Sequence, residues 1–199
     1  MKALVKLGVH VVALVVVSPV ILTFLVGARL LGRDRALEGA TQTLALLPGL
    51  TGIYLRRAFL TVALKHCDRS AEVGFGTIFS QADARIDANV YVGPRCHLGW
   101  VHLEKNVLVA AGVHIPSGPN THYFHDPAVP IKDQGGERVE VTIGEGAWIG
   151  SAAVVMADVG KGSVVAAGSV VTKPIPDNVI AGGVPAKVIR GRFDPPAEK

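Results

Sequence analysis

Residues 143–176 read IGEGAWIGSAAVVMADVGKGSVVAAGSVVTKPIP. They divide, by their leading aliphatics, into IGEGAW from Ile143, IGSAAV from Ile149, a truncated VMAD from Val155, VGKGSV from Val159, VAAGSV from Val165 and VTKPIP from Val171. The period is six, which is neither the helical 3.6 nor the strand alternation of two. Upstream the same unit is written IDANVY from Ile86, VGPRCH from Val92, a five-residue LGWVH from Leu98, LEKNVL from Leu103, VAAGVH from Val109 and IPSGPN from Ile115. Between the two blocks lies an excursion from Thr121 to about Glu140. Most units place a small or acidic residue second and a small or β-branched residue fifth.

A short strand followed by a turn accounts for six residues and makes one side of a triangular coil. Three units make one rung, and parallel rungs stack through backbone hydrogen bonds about 4.8 Å apart. The lead aliphatic points inward onto its equivalents above and below, and the small fifth residue, Cys96 among them, fills the narrow interior. The dozen units supply around four rungs, none of which can bury its apolar face alone.

Outward from the repeat, composition sets the class. Of 199 residues 49% are hydrophobic but only 6% aromatic, which excludes a disordered chain and suits a thin aliphatic core. Two cysteines do not make a disulfide framework, so a reducing compartment is the simpler setting. The net charge of +4 suits a membrane surface or an anionic substrate. No basic stripe with interleaved aromatics is present, so no nucleic-acid partner is expected.

Residues 1–35 form the most apolar stretch, with Leu7 to Leu31 interrupted only by His10, Ser18, Thr23 and Arg29. That run is long enough to cross a bilayer and ends in Arg29, Arg33 and Arg35 without a cleavage site, so it is expected to be an uncleaved anchor. Lys2 and Lys6 precede it, and the positive-inside rule pulls both ends to the cytoplasm. A spanning helix kinked at Ser18-Pro19 and a re-entrant segment that bends there both remain open. Residues 36–70 read as an amphipathic helical segment broken at Leu47-Pro48-Gly49. It is expected either in the headgroup plane or packed on the following domain. The coil is assigned to 71–192, with an active-site loop at 117–140 and a tail at 193–199.

The repeat resembles the hexapeptide-repeat acyltransferases, most closely the bacterial sugar and polysaccharide O-acetyltransferases, over about Val73 to Arg192. The resemblance rests on IGEGAWIGSAAV, on VAAGSVVTKPIPDNVIAGGVPAKVIRGR, and on the His-bearing loop between the blocks. It implies a mainly β fold, a left-handed parallel β-helix, assembled as a homotrimer with acetyl-CoA lying along the coils. It also implies work at the cytoplasmic face of the bacterial inner membrane, where acetyl-CoA is available. The first 70 residues are expected to have no counterpart in soluble members.

Acyl transfer to a hydroxyl needs a base near neutral pKa, and the loop SGPNTHYFHDP at 117–127 offers His122 and His125. The resemblance favours His122, with His125 second, and Asn120 or Asp126 orienting the ring or holding the acceptor. Backbone amides near Gly150 and Ser151 are candidates for an oxyanion site. For the cofactor, the resemblance puts Trp148 in the groove and the small residues Gly150, Ala166, Ala167, Gly168 and Ser169 under the pantetheine arm. Lys173, Lys187 and Arg190 are assigned to its phosphates. The acceptor is expected to be a sugar hydroxyl, free or on a lipid-linked polysaccharide precursor, with an amino sugar as the alternative.

His97 and His114 each close a unit three units apart and should stack on adjacent rungs. Such a pair can bind a metal, as in the carbonic anhydrases built on the same coil, but no third ligand is placed, so no metal is assigned. A scaffold without catalysis is a further alternative. His66 and His102 receive no role.

Overall fold

The computed structural model describes residues 2–195, with side chains from Leu7 onward. The last four residues of the expected tail, 196–199, and the side chains of Lys2 and Lys6 lie outside the described residues.

The repeat folds into three parallel sheets. The first contains His66–Cys67, Arg85–Ile86, Val101–Leu103 and Val141–Ile143, extended by single bridges at Val159 and Ile175. The second runs from Glu72–Val73 through Tyr91–Val92, Leu108–Val109, Trp148–Ile149 and Val164–Val165 to Val179–Gly183, and the antiparallel strand Ala186–Gly191 closes it. The third holds Ile78–Phe79, His97–Leu98, His114–Ile115, Val154–Val155 and Val170–Val171. Successive strands therefore visit the three sheets in turn, and the coil makes about six turns rather than around four. The additional turns lie at the two ends: one built on Cys67, Val73 and Phe79, starting at His66 rather than at residue 71, and one on Ile175 and Ala181.

Every lead residue from Ile86 to Val171 is buried, and the fifth residues Val90, Cys96, Val107, Val113, Ala147, Ala153, Ser163 and Ser169 are buried beside them. Each buried Val, Leu or Ile contributes about 1.5–3 kcal/mol relative to exposure, and stacking makes every rung depend on its neighbours. The fourth slot carries the turn. Gly76, Asn89, Arg95, Asn106, Gly112, Gly146, Ala152, Gly162, Gly168 and Asn178 all have φ between 54° and 76°. This left-handed conformation selects Gly and Asn at most of these positions. At the second slot the rungs approach closely: a Cβ on Gly93 would stand 2.7 Å from the carbonyl carbon of Ala110.

Three helices precede the coil: α1 (Lys2–Leu31), α2 (Arg33–Ala45) and α3 (Gly49–Ala63). α1 continues unbroken through Pro19, so the chain does not turn back at Ser18-Pro19. Leu7–Leu31 is long and apolar enough to cross a membrane, about 38 Å at 1.5 Å per residue. One of its faces packs inward through Ala13, Val17 and Phe24, the last edge-on to Phe59 of α3 at 5.5 Å. Val12, Val15, Val16, Leu22, Val26 and Leu30 are exposed on its other side.

α2 and α3 close the first end of the coil. Of the two placements open to this segment, packing on the coil is the one adopted. Arg56, which the sequence suggested for a lipid surface, is buried: its Nε donates to Val73 O at 3.0 Å and its Nη1 to Leu44 O and Leu47 O at 3.1 and 2.7 Å. It thereby satisfies carbonyls at the end of α2 that would otherwise be orphaned. Thr41 Oγ1 donates to Phe79 O at 3.2 Å, and the Gly76 N–H donates to Ala45 O at 3.0 Å. On α2 the Asp34 carboxylate accepts the Ala82 N–H at 2.9 Å.

Candidate active site

The loop expected to carry the base leaves the third sheet after Ile115 and returns to the first at Val141. Its two legs are laced together: Val139 N–H donates to Ser117 O at 3.0 Å, Glu137 N–H to Asn120 O at 2.8 Å, and Tyr123 N–H to Gly135 O at 3.0 Å. Ser117 is buried, and its Oγ accepts the Trp100 N–H at 2.9 Å, which fastens the loop to the shortened unit. The returning leg is held by Arg85, whose Nη2 and Nε donate to the two Glu140 carboxylate oxygens at 2.6 and 3.1 Å. His122 sits between two of the backbone cross-links, so its main chain is fixed although its side chain is exposed.

A groove of about 950 Å³ opens beside this loop. Its floor is the third sheet, where His97, His114 and Val154 stand in register on successive rungs. One wall is the loop, with Thr121, His122 and Arg138. The opposite wall is the junction of α1 and α2, from Leu31 to Arg35 and Glu38, with Ser80 and Gln81 of the first turn. That wall comes entirely from a region the sequence marked only for membrane anchoring. The groove is at the upper end of the volume usual for small-molecule sites, about 300–1,000 Å³.

His97 and His114 are register partners, with ring centroids 6.2 Å apart at 74°. They share the groove with His122. Among the described residues no group of three or more His, Cys, Asp and Glu side chains gathers in a way that could hold a metal ion.

His125 lies farther out along the loop, its ring 5.8 Å from that of Tyr123, and does not line the groove. Asn120 is exposed and uses its carbonyl to hold the loop, and it too lies outside the lining. Asp126 is committed to the loop tip: its carboxylate accepts the Ala128 N–H at 2.8 Å, while Gln134 Nε2 donates to Asp126 O and Val129 O. It therefore does not orient a histidine. The Gly150 amide already donates to Val165 O at 2.8 Å within the coil ladder, so it is not free for an oxyanion.

The expected cofactor residues lie mainly along the second sheet and its edge. Trp148 is 49% exposed on that sheet, in register with Leu108 and Val164. Gly150 belongs to a turn between the second and third sheets, as do Ala166, Ala167 and Gly168 one rung on. Lys187 is on the closing strand opposite Gly182, and Arg190 on the same strand donates from Nη1 to the carbonyls of Gly191, Arg192 and Asp194. Arg190 thus ties down the final turn. Lys173 occupies the turn from the third sheet to the first.

Cys96, in a fifth slot, is buried with its Sγ 3.2 Å from Ala110 O, and burial raises its thiol pKa. Cys67 is the inward lead of the first turn. Outside the groove, Asp87 lies between His102 at 3.3 Å and His66 at 3.8 Å on the first sheet.

Residues 140–173 match the family model described as the hexapeptide repeat of succinyl-transferase. The galactoside O-acetyltransferase of Lactococcus lactis is 39% identical over 109 residues, 51% of this chain and 53% of that protein. A solved galactoside acetyltransferase in complex with coenzyme A has a TM-score of 0.59 and 25% identity, covering 81% of this chain and 83% of the other. The coil belongs to the hexapeptide-repeat acetyltransferases. Its fold is the left-handed parallel β-helix implied by the repeat. The N-acyltransferase AntD of Bacillus cereus, solved with a nucleotide-linked amino sugar and coenzyme A, shares this fold at a TM-score of 0.54 and 18% identity, over 62% of this chain and 71% of that one.

The hexapeptide-repeat chain spans about half the length of the curated relatives it matches, 56% and 53% for two of them. The 81% covered by the galactoside acetyltransferase structure is more than the chain has beyond its first 70 residues. Part of the helical segment thus has a structural counterpart, contrary to the expectation that those residues stand alone.

Proposed function

We propose that the protein transfers an acetyl group from acetyl-CoA to a hydroxyl of a sugar, on a lipid-linked polysaccharide precursor at the cytoplasmic face of the bacterial inner membrane. The observation that carries this reading is His122 on a cross-linked loop at the wall of a large groove, in a coil of the acetyltransferase family. In the reaction the acceptor O–H gives its proton to the imidazole as its oxygen bonds to the thioester carbonyl carbon. The tetrahedral adduct collapses, the C–S bond breaks, and the departing coenzyme A thiolate takes the proton from the imidazolium. Acetyl ester and free coenzyme A are the products.

The membrane assignment rests on Leu7–Leu31, whose exposed valines and leucines would face lipid. A homotrimer is part of the proposal: Trp148 stands on the second sheet and His122 beside the third, and packing coils side by side would set one copy's cofactor surface against another's groove. An amino-sugar acceptor is the nearest alternative, and the same histidine would serve it.

The test is coenzyme A release from acetyl-CoA by the detergent-held full chain, offered sugar and amino-sugar acceptors, with His122→Ala alongside. Acceptor-dependent release that disappears in the variant supports the reading. Release unaffected by the substitution contradicts it.

The His97–His114 contact favours one second reading, a metal-dependent hydratase. Stoichiometric zinc in the purified protein, lost in His97→Ala, would establish it.

A further inference from the structure

We infer that the α1–α2 wall of the groove is a phosphate subsite for the acceptor, formed by the start of α2 with Arg35 and Arg138, and that the acceptor is a sugar phosphate. The inference rests on the transferase reading for its direction and on the groove for its geometry.

Helix α2 is 13 residues long, and its first turn enters the groove lining from Gly32 to Arg35. Its N-cap is Gly32, at φ 91°, and no side chain caps the helix. The carboxylate that ordinarily serves such an end, Asp34, is turned away to the Ala82 N–H at 2.9 Å. The first N–H groups of the helix, and the positive end of its dipole, are thus left at the groove without a side-chain acceptor.

Three guanidinium groups stand around the same end. Arg33 is held loosely by Asp83 at 3.4 Å, whereas neither Arg35 nor Arg138 is ion-paired among the described residues. Arg138 comes from the opposite wall, on the loop leg that returns past His122. An anion between the walls would therefore be gripped from both sides, by forked donors suited to phosphate oxygens. Glu38, one turn further into α2 and also in the lining, suits the hydroxyls of a sugar attached to that phosphate.

The position separates this phosphate from those of the donor. Leu31, the last residue of the apolar helix, lines the same end of the groove. A sugar phosphate carried on a lipid would reach the subsite directly from the membrane surface, and a soluble nucleotide sugar or sugar phosphate would present the same group from solution.

The experiment titrates the detergent-held full chain, saturated with desulfo-coenzyme A, with three probes: methyl glucoside, glucose 1-phosphate, and polyprenyl phosphoryl glucose in the same micelles. The expected result is at least about tenfold tighter binding of a phosphorylated probe than of methyl glucoside. This preference should disappear in the Arg35→Ala, Arg138→Ala double variant and return in the Lys, Lys counterpart. Preference for the polyprenyl form assigns a lipid-linked acceptor, and equal binding of both phosphates assigns a soluble one; either supports the subsite. Equal binding of all three probes, or a preference the double variant keeps, overturns it. A double variant that loses desulfo-coenzyme A affinity instead assigns these arginines to the donor and also overturns it. Failure of the unmodified protein to bind desulfo-coenzyme A contradicts the transferase reading, and the three sugar titrations, repeated without it, still decide the subsite.

Discussion

Asp34 on α2 accepts the backbone N–H of Ala82 in the first turn of the coil at 2.9 Å, and through this bond one wall of the groove is fixed to the β-helix. The wall does not depend on it alone, because Thr41 and Arg56 also bond to the coil. Asp34→Ala should therefore cost about 1–2 kcal/mol, within the range for hydrogen bonds to charged groups. It should raise the acceptor KM while leaving desulfo-coenzyme A binding unchanged. Denaturant unfolding and steady-state kinetics on one preparation check both halves.

His122→Ala should lower acetyl transfer by about 10²–10⁴-fold, the usual contribution of a positioned base, with little change in thermal stability. The loop is tied by backbone bonds and by Ser117, none of which uses the imidazole. His125→Ala, outside the groove lining, should stay within a few-fold of the unmodified protein. Reversed effects would exchange the two roles.

Val165 is fully buried, with Ile149 and Ala181 as its register partners on adjacent rungs. Val165→Asp would place a carboxylate among stacked aliphatics and should destabilise by more than about 3 kcal/mol, enough to prevent purification of folded protein. Gly168→Val provides the graded counterpart. Its φ of 68° strains a β-branched side chain, and a loss of about 1–2 kcal/mol is expected in chemical denaturation.

The Cys67 thiol is pushed up from an ordinary 9.0 to about 12, first by burial and then by the neighbouring Asp68 carboxylate. Its folded pKa is raised, so the stability it contributes is fully present below 9.0 and is lost as pH rises toward 12. Unfolding free energies measured from pH 8 to 11 should fall more steeply for the unmodified protein than for Cys67→Ala. Equal slopes would show that Cys67 ionises freely in the fold.

The lead aliphatics from Ile86 to Val171 were legible because period six leaves no other way to bury them together. The outer turns were not, for identifiable reasons. Cys67, Phe79 and Ala181 are not aliphatic leads of the Ile, Val and Leu type, and the step from Phe79 to Ile86 is seven residues, which breaks the count. The left-handed fourth slot was an available signal: Gly76 and Asn178 mark the two missed turns as clearly as Gly146 and Gly168 mark the recognised ones.

The site was legible in part. His122 stood out by its loop, and His97 and His114 by their spacing. The wall formed by Arg33, Asp34, Arg35 and Glu38 was not, because contacts between a helix junction and a coil turn some 50 residues away leave no local pattern. Arg33 and Arg35 read as the basic flank of an apolar helix, and only the packing of α2 on Phe79 and Ala82 brings them to the groove.

The most direct test of the central claim is calorimetric titration of the detergent-solubilised full chain with acetyl-CoA and desulfo-coenzyme A, with metal analysis of the same sample. The account predicts micromolar binding of both without stoichiometric metal. No binding, with one metal ion per site, would contradict it and turn attention to His97 and His114.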